Sequence, residues 1–294
     1  MIARDVMVVG DVILDVVARP LTDIAPTSDT PSRVRMSRGG AAANTAVALA
    51  RTGHNVTYVG ASGVDLAGKL FEDTLRGAGI EVALERVNAA TGIVVAVVSS
   101  EGQRAMLTDR GASSLLGLEH VLRRLERPFD HLHVSGYTLL DPLTVDVGRA
   151  ALSRALELGR STSVDVCSVA PLIEMTPAAF LEASRGARFL FANEEEALVL
   201  SETSDVTAAI ERLARDFDEV VVTRGDKGAR AWADGVNYEV ASLSDVVFDT
   251  TGAGDAAAGA YLGARLDGAV PLDALTLAMA ASARVVGDLG SSEN

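Results

Sequence analysis

The sequence predicts an α/β protein: a three-layer, mostly parallel β-sheet with helices on both faces, and a small antiparallel β-sheet beside it. Three observations carry this. From residue 115 onward, helical segments alternate regularly with short apolar runs, the pattern of βαβ units with right-handed crossovers. Those runs, such as DVMVV at 5–9 and EVVVT at 219–223, are nearly continuous in Val, as strands buried on both faces are. Between residues 11 and 110, extended pieces are joined by turns rich in Gly, Ser and Pro, which signals strand pairing of another kind. The 294 residues read as one domain spanning 1–294, with strands at about 12–37 and 90–109 inserted as a lid.

In order, DVMVVG stops at Gly10 as the first strand, and VILDVVA follows Asp11 as a second extended piece. Residues 19–37 are rich in Pro, Thr and Ser, with a short polar strand at SRVRMS. Gly39 and Gly40 open a helix that closes at Gly53. HNVTYVGAS is a strand, and DLAGKLFEDTLRGAG is an amphipathic helix with a terminal glycine. IEVALERV, TGIVVAVVSS and EGQRAMLTDRG read as strands, with Ser100-Glu101-Gly102 as a hairpin tip, joining residues 11–18 and 31–37 in the small sheet. The helix LEHVLRRLERP, the strand HLHVSG, the helix LTVDVGRAALSRALELG and the strand STSVDVCS follow. Next come the helix TPAAFLEASRG, the strand ARFLFAN and two helices, EEEALVLS and DVTAAIERLARDF. The strand EVVVTRG, the hairpin GARAWADGVNYEVAS and an apolar strand at Val246–Phe248 lead into an Ala-rich helix.

Composition narrows the classes. Apolar residues make up 48% and aromatics only 4%, so a sizeable core must be built from Ala, Val and Leu. A net charge of −14 opposes general nucleic-acid binding, which needs a basic face. The one cysteine, Cys167, excludes an intramolecular disulfide and fits a reducing compartment; in SVDVCSVAPL it reads as buried and inert. Asp5, Asp11 and Asp15 interrupt the apolar N-terminus, unlike a signal peptide, and no apolar run approaches membrane-spanning length. The expected location is the cytoplasm, with no membrane partner. His131 and His133 share a strand face, but without further ligands at metal spacing they read as core residues.

The chain is organised around VVFDTTGAGDAAAGAYLGARLDGA at 246–269. A glycine-rich turn opening a helix presents unpaired N–H groups at the positive end of the helix dipole, a place that receives phosphates. Asp255 there has two readings. It is the helix N-cap, or it is a base that takes the proton of a substrate hydroxyl while the amides hold a transferred phosphoryl group. Asn193 and Glu196, one helical turn apart, suit outer-shell binding of hydrated Mg²⁺, although adjacent acids also suit a plain solvated helix start. Thr223, Gly225 and Gly228 lie in a loop whose glycines permit close backbone approach. Asp11 and Asp15 lie where ligands bind in open α/β sheets, with Asp11 also readable as an ordinary loop acid. Gly39-Gly40 and Asn44 offer a close approach and a paired donor and acceptor. No GxxxxGK(S/T) occurs, and Gly252, Gly254 and Gly259 miss the GxGxxG spacing, which opposes a P-loop enzyme and a nicotinamide dehydrogenase.

The whole chain resembles the ribokinase-like (PfkB-type) carbohydrate kinases. GGAAANTA at 39–46, with Gly53 and Gly63 at matching distances, resembles the family's first motif. DTTGAGD at 249–255 with Gly259-Ala260 resembles its second, and Asn193/Glu196 and Thr223-Arg224-Gly225 … Gly228 match two further elements in order. The resemblance implies a ribokinase-like fold and an ATP-dependent kinase acting on a primary hydroxyl of a small sugar, sugar acid or nucleoside. Ribose, fructose, 2-keto-3-deoxygluconate, adenosine and pseudouridine are the acceptors it suggests. It implies Asp255 as base, and the backbone of Gly252, Ala253 and Gly254 as the anion hole. Asn193 and Glu196 would organise Mg²⁺ and phosphates, and Thr223, Gly225 and Gly228 would line the nucleotide. Asp15, Gly39, Gly40 and Asn44 would hold the sugar, with Asp11 second to them. It further implies K⁺ near Asp249 and a late loop at Gly287–Ser291, and a homodimer formed through the lid. Two departures argue against ribose itself: Ala41 where ribokinases commonly carry a Lys, and Ser135-Gly136-Tyr137 where relatives tend to carry a carboxylate. The ending GSSEN, soon after the last helix, suggests an abbreviated adenine-side wall. A non-catalytic sugar- or nucleotide-sensing protein on the same fold is the alternative, but it would have no need of an acid beside an anion hole.

Overall fold

The computed structural model describes residues 3–98, 104–243 and 252–291. The first third contains β1 (Asp5–Val9), β2 (Ile13–Pro20), β3 (Ser32–Gly39), α1 (Ala41–Arg51), β4 (Asn55–Ser62), α2 (Leu66–Gly77), β5 (Glu81–Arg86), β6 (Thr91–Val98) and β7 (Arg104–Gly111). The middle carries α3 (Leu118–Leu125), β8 (His131–Ser135), α4 (Gly136–Leu140), α5 (Val145–Glu157), β9 (Ser161–Asp165), α6 (Val169–Met175), α7 (Pro177–Ala183) and β10 (Phe189–Asn193). The last third carries α8 (Glu194–Ser201), α9 (Val206–Leu213), β11 (Glu219–Thr223), β12 (Ala229–Ala233), β13 (Val236–Val240), α10 (Ala253–Leu266) and α11 (Pro271–Ser291).

The main sheet has nine strands in the order β13-β12-β11-β10-β9-β8-β1-β4-β5. From β11 to β5 every neighbouring pair is parallel, while the β11–β12 and β12–β13 pairs at one edge are antiparallel. The chain moves outward from β1 to β4 and β5, then returns to β8 on the other side of β1. The switch point between β1 and β8 is where an open α/β sheet binds ligands, beyond the C-terminal strand ends. Two apolar layers cover the sheet. One packs Leu125, Leu152, Phe180, Leu200 and Ile210 from α3, α5, α7, α8 and α9; the other packs Leu49, Phe71, Leu262 and Leu275 from α1, α2, α10 and α11.

The layer of α1 and α10 decides the site. Gly259 and Gly263 lie one helical turn apart on α10. A Cβ at Gly259 would lie 2.6 Å from the Ala48 Cβ and 2.7 Å from the Thr45 carbonyl, and one at Gly263 would collide with Thr52. Small residues on one stripe thus let α10 press against α1.

The second sheet has the order β3-β2-β6-β7. Its outer pairs, β2–β3 and β6–β7, are antiparallel as expected, but the central β2–β6 pair is parallel. The reason is connectivity: β2 and β6 are separated by β3, α1, β4, α2 and β5 rather than by a turn, and a parallel pair needs such a crossover. IEVALERV also departs from expectation. As β5 it pairs parallel with β4 at the edge of the main sheet, because α2 returns the chain in the same direction. Two short helices, α4 and α6, were not anticipated; Pro171 in the first turn of α6 was the available signal. The hairpin tip at 100–102 and the strand at 246–248 lie outside the described residues. Among the described residues no helix is long and apolar enough to cross a membrane.

Candidate active site

Asp255 is the third residue of α10. Its side chain does not cap the helix; the N-cap is Gly252, with φ 77° and no side-chain cap bond. The cap reading therefore fails, for a geometric reason: the left-handed turn that only glycine adopts readily places the helix start three residues earlier. The first intrahelical bond runs from Ala256 N to Gly252 O, so the amides of Ala253, Gly254 and Asp255 precede the ladder at the positive helix end. Instead of capping, the Asp255 Oδ2 accepts a 2.8 Å hydrogen bond from Asn44 Nδ2 in the first turns of α1. The tight α1–α10 contact makes this possible, and Thr45 Oγ1 follows with a 3.4 Å bond to the Asp255 carbonyl. Asn44 Oδ1 in turn accepts from Arg38 Nη1 at 2.8 Å. Burial raises the Asp255 carboxyl to about 6, against the pull of Asn44 and Arg38.

The other residues expected to hold the acceptor lie between β1 and the start of α1. Gly39 needs its missing Cβ, because that atom would land on the Asp15 carboxylate. Asp15 thus lies directly over the end of β3. Burial raises Asp15, while Arg38 opposes the shift. Gly40 is the N-cap of α1, with φ 91°. Asp11 is buried, and its carboxylate is taken up by Arg110 Nη2 at 2.6 Å, with Asp141 Oδ2 on the same guanidinium at 3.3 Å. Its backbone carbonyl accepts from the Tyr58 hydroxyl at 2.5 Å.

On the other side of Asp255 lies a cavity of about 170 Å³ lined by Asp165, Cys167, Asn193, Glu196, Thr223 and Asp255 among others. Glu196 is buried, and with Asn193 it forms a capping box: Glu196 N donates to Asn193 Oδ1 at 2.8 Å, and Asn193 N donates to Glu196 Oε2 at 2.9 Å. Burial raises Glu196 to about 7, with Asp255 and Glu195 adding to the shift and the Asn193 bonds opposing it. Asp165 is pushed well up by burial, then by Glu196 and Asp255. Among the described residues no Lys or Arg lines this cavity. The carboxyls of Asp165 and Glu196, held up by burial and by nearby negative charge, would suit a divalent cation. Among the described residues no three acidic, His or Cys side chains stand close enough to ligate an ion together, so the fit is to hydrated Mg²⁺ held through water.

A larger cavity, about 390 Å³, adjoins it and shares Asn193, Thr223 and Gly254. Gly225 and Gly228 line it too, so all four expected nucleotide residues meet in one place. Its far wall is Leu243 with Met279, Ala283 and Val286 of α11. α11 thus contributes Met279, Ser282, Ala283 and Val286 to this cavity. Asp249 lies outside the described residues, and Gly287–Ser291 continue α11 rather than forming a loop.

Sequence reading missed Arg38, Arg110, Asp165 and the cavity position of Cys167. Asp165 ends β9 at the sheet's C-terminal edge and Cys167 follows it, and that position was the signal available for them. Burial and Asp165 push the Cys167 thiol well up, which keeps it protonated and unreactive. His131 and His133 are fully buried and share Ser163 Oγ at 2.8 and 2.9 Å, as core residues.

The profile of the pfkB family carbohydrate kinases matches residues 3–294. Among curated relatives, the ATP-dependent ribose-1-phosphate kinase of Halopiger xanaduensis is 30% identical over 293 residues, spanning 97% of this chain and 93% of that protein. The 2-dehydro-3-deoxygluconokinase of Thermoproteus tenax is 29% identical over 266 residues, spanning 86% and 81%. Among solved structures, the adenosine kinase from Sinorhizobium meliloti superposes with a TM-score of 0.87 at 28% identity, covering 97% of this chain and 94% of its own.

Proposed function

We propose, from the premise that the chain belongs to the pfkB family of carbohydrate kinases, that it moves the γ-phosphoryl group of ATP onto a primary hydroxyl of a small sugar, sugar acid or nucleoside. The observation that carries this reading is the position of Asp255. It stands at the N-terminus of α10, bonded to Asn44 and lining a cavity with Asn193, Glu196 and Thr223. In this reading ATP lies along Thr223, Gly225 and Gly228, with its adenine against Met279, Ala283 and Val286. Asp15, Gly39, Gly40 and Asn44 orient the acceptor, with Asp11 held in reserve by Arg110. Asp255 accepts the hydroxyl proton on a carboxylate oxygen, and the amides of Gly252, Ala253 and Gly254 stabilise charge on the transferring group. Glu196, with Asn193 and Asp165, would hold hydrated Mg²⁺, which supplies charge neutralisation of the phosphates when bound. Asp249 remains the candidate for K⁺. The reaction is assigned to the cytoplasm.

The second sheet acts as the lid, since it supplies Asp15 and Gly39 to the cleft. Its register puts Val34, Met36 and Leu107 on one face, through Ala18, Val16 and Val95 between them. All three are exposed, at 62%, 63% and 62%. This face is assigned to contact with a second copy of the chain, and Met36→Glu is expected to convert a dimer to a monomer in analytical ultracentrifugation. A single monomeric species in the unmodified protein removes that assignment.

The names of the relatives span a phosphorylated sugar, a sugar acid and a nucleoside, and each contains a suitable hydroxyl. The deciding experiment is ADP release over ribose, ribose 1-phosphate, fructose, 2-keto-3-deoxygluconate, adenosine and pseudouridine. Binding of an acceptor without ADP from any of them would support the sensing alternative instead.

A further inference from the structure

Taking Asp255 as the base, we propose that Arg38 is a positioning residue for it, fixing through Asn44 which end of an amide meets the carboxylate. An Asn side chain offers an oxygen that repels a carboxylate and an NH₂ that binds it, and the two ends exchange by rotation of one soft torsion. Nothing in Asn44 alone selects the productive orientation. Arg38 selects it, because a guanidinium donates and never accepts. With Nη1 at 2.8 Å from Asn44 Oδ1, the amide nitrogen is left facing Asp255 Oδ2, also at 2.8 Å. The chain of donors therefore runs one way, from the second sheet through α1 to α10.

The placement of Arg38 has no competing explanation in ion pairing. Arg110 is met by Asp11 and Asp141, but among the described residues no carboxylate lies within 4.0 Å of the Arg38 guanidinium. Its Nε is buried without a hydrogen-bond partner. Burial lowers the Arg38 pKa, while Tyr58, Asp255 and Asp15 pull it back up. The other groups that face Asp255 are Asp15 from β2, Glu196 from α8, Asp165 at the end of β9 and Cys167 after it. Each of these is neutral or negative, so the cation of the set is Arg38. It follows that removing Arg38 frees the Asn44 amide to turn and withdraws a positive charge, and both changes raise the Asp255 pKa.

The test is a carbon-detected NMR titration of the Asp255 carboxyl, assigned by its loss in Asp255→Asn. Samples are the unmodified protein, Arg38→Met, Arg38→Lys, Asn44→Ala and the Arg38→Met/Asn44→Ala double variant. Arg38→Met is expected to raise the titration midpoint by about one pH unit, the low end of what a nearby charge produces. Arg38→Lys should recover most of that shift. In the Asn44→Ala background the effect of Arg38→Met should fall by more than half, since only the through-space part remains. With an acceptor that turns over, the acid limb of kcat/KM should move with the midpoint while the KM for ATP stays unchanged. A midpoint in Arg38→Met equal to that of the unmodified protein overturns the proposal. So does an equal shift with and without Asn44. Should Arg38→Met fail to fold by circular dichroism, Arg38→Gln carries the same comparison. Absence of ADP formation with every acceptor would remove the base role of Asp255, yet the titration would still decide the Arg38–Asn44 pairing.

Discussion

Asp255→Asn is expected to abolish turnover and at the same time raise stability. The two residues are isosteric, and the new carbonyl oxygen can still accept the 2.8 Å bond from Asn44 Nδ2, so the α1–α10 contact stays intact. The catalytic loss is that of a general base, about 10²- to 10⁴-fold in kcat. The stability gain comes from burial. The Asp255 carboxyl titrates at about 6 when folded, against 3.8 for the ordinary group. The folded state therefore holds the proton more tightly than the unfolded state. Stability falls as pH rises between those two values, and the deficit persists above about 6. At 1.36 kcal/mol per pKa unit the deficit is roughly 3 kcal/mol at most, reduced by solvent because Asp255 is only half-buried. Removing the charge should raise Tm by a few degrees at pH 7.5. The gain should shrink to well under about 1 kcal/mol at pH 4 and vanish only below about pH 3, where the carboxyl is protonated in both states. ADP release and differential scanning fluorimetry at the two pH values check both halves. A variant that keeps a tenth or more of kcat removes Asp255 from the base role, and an unchanged or lowered Tm at pH 7.5 refutes the desolvation argument.

For the unmodified enzyme, the same midpoint predicts that kcat/KM falls about tenfold per pH unit below about 6, and a profile flat to pH 5 would contradict it. Gly39→Ala puts a methyl group onto the Asp15 carboxylate, so the acceptor KM should rise at least about tenfold, equivalent to 1.4 kcal/mol, with the KM for ATP unchanged. Equal effects on both constants in steady-state kinetics would show that Asp15 does not hold the acceptor. Glu196→Gln keeps an oxygen for the Asn193 N–H and so keeps the start of α8. It should nevertheless raise the Mg²⁺ concentration needed for half-maximal rate several-fold, and an unchanged Mg²⁺ titration would take Glu196 out of that role.

The strand and helix alternation was legible because parallel strands buried on both faces read as runs of Val, and the crossovers follow from chirality. The GAGD turn was legible as a helix start because its glycines permit the left-handed turn that Gly252 makes there. Asp255 itself was not resolved by its neighbours in sequence, since cap and base demand the same residue at nearly the same place. What tells against the cap is the bond to Asn44, 211 residues away, brought to the carboxylate by a helix contact whose trace in the sequence is only the spacing of Gly259 and Gly263. Arg38 and Arg110 were illegible for a related reason. Each acts at the end of a strand in the second sheet, where a polar residue looks like ordinary surface until the fold turns it inward. The β2–β6 pairing was missed because antiparallel order was assumed for strands that are far apart in the chain.

Burial at Asp255 is a liability for the fold and an asset for the chemistry, and one feature produces both. An Asp at 3.8 is a weak base toward an alcohol, and one at about 6 has more driving force while remaining ionised at neutral pH. That shift requires removal of water, which the small-residue stripe of α10 achieves by closing on α1. Asp15 adds its negative charge to the rise, and Asn44 and Arg38 set the opposing pull. The proposed base would thus be tuned by two features that meet only in the folded chain: a packed helix pair that desolvates it, and a guanidinium that orients the amide bonded to it.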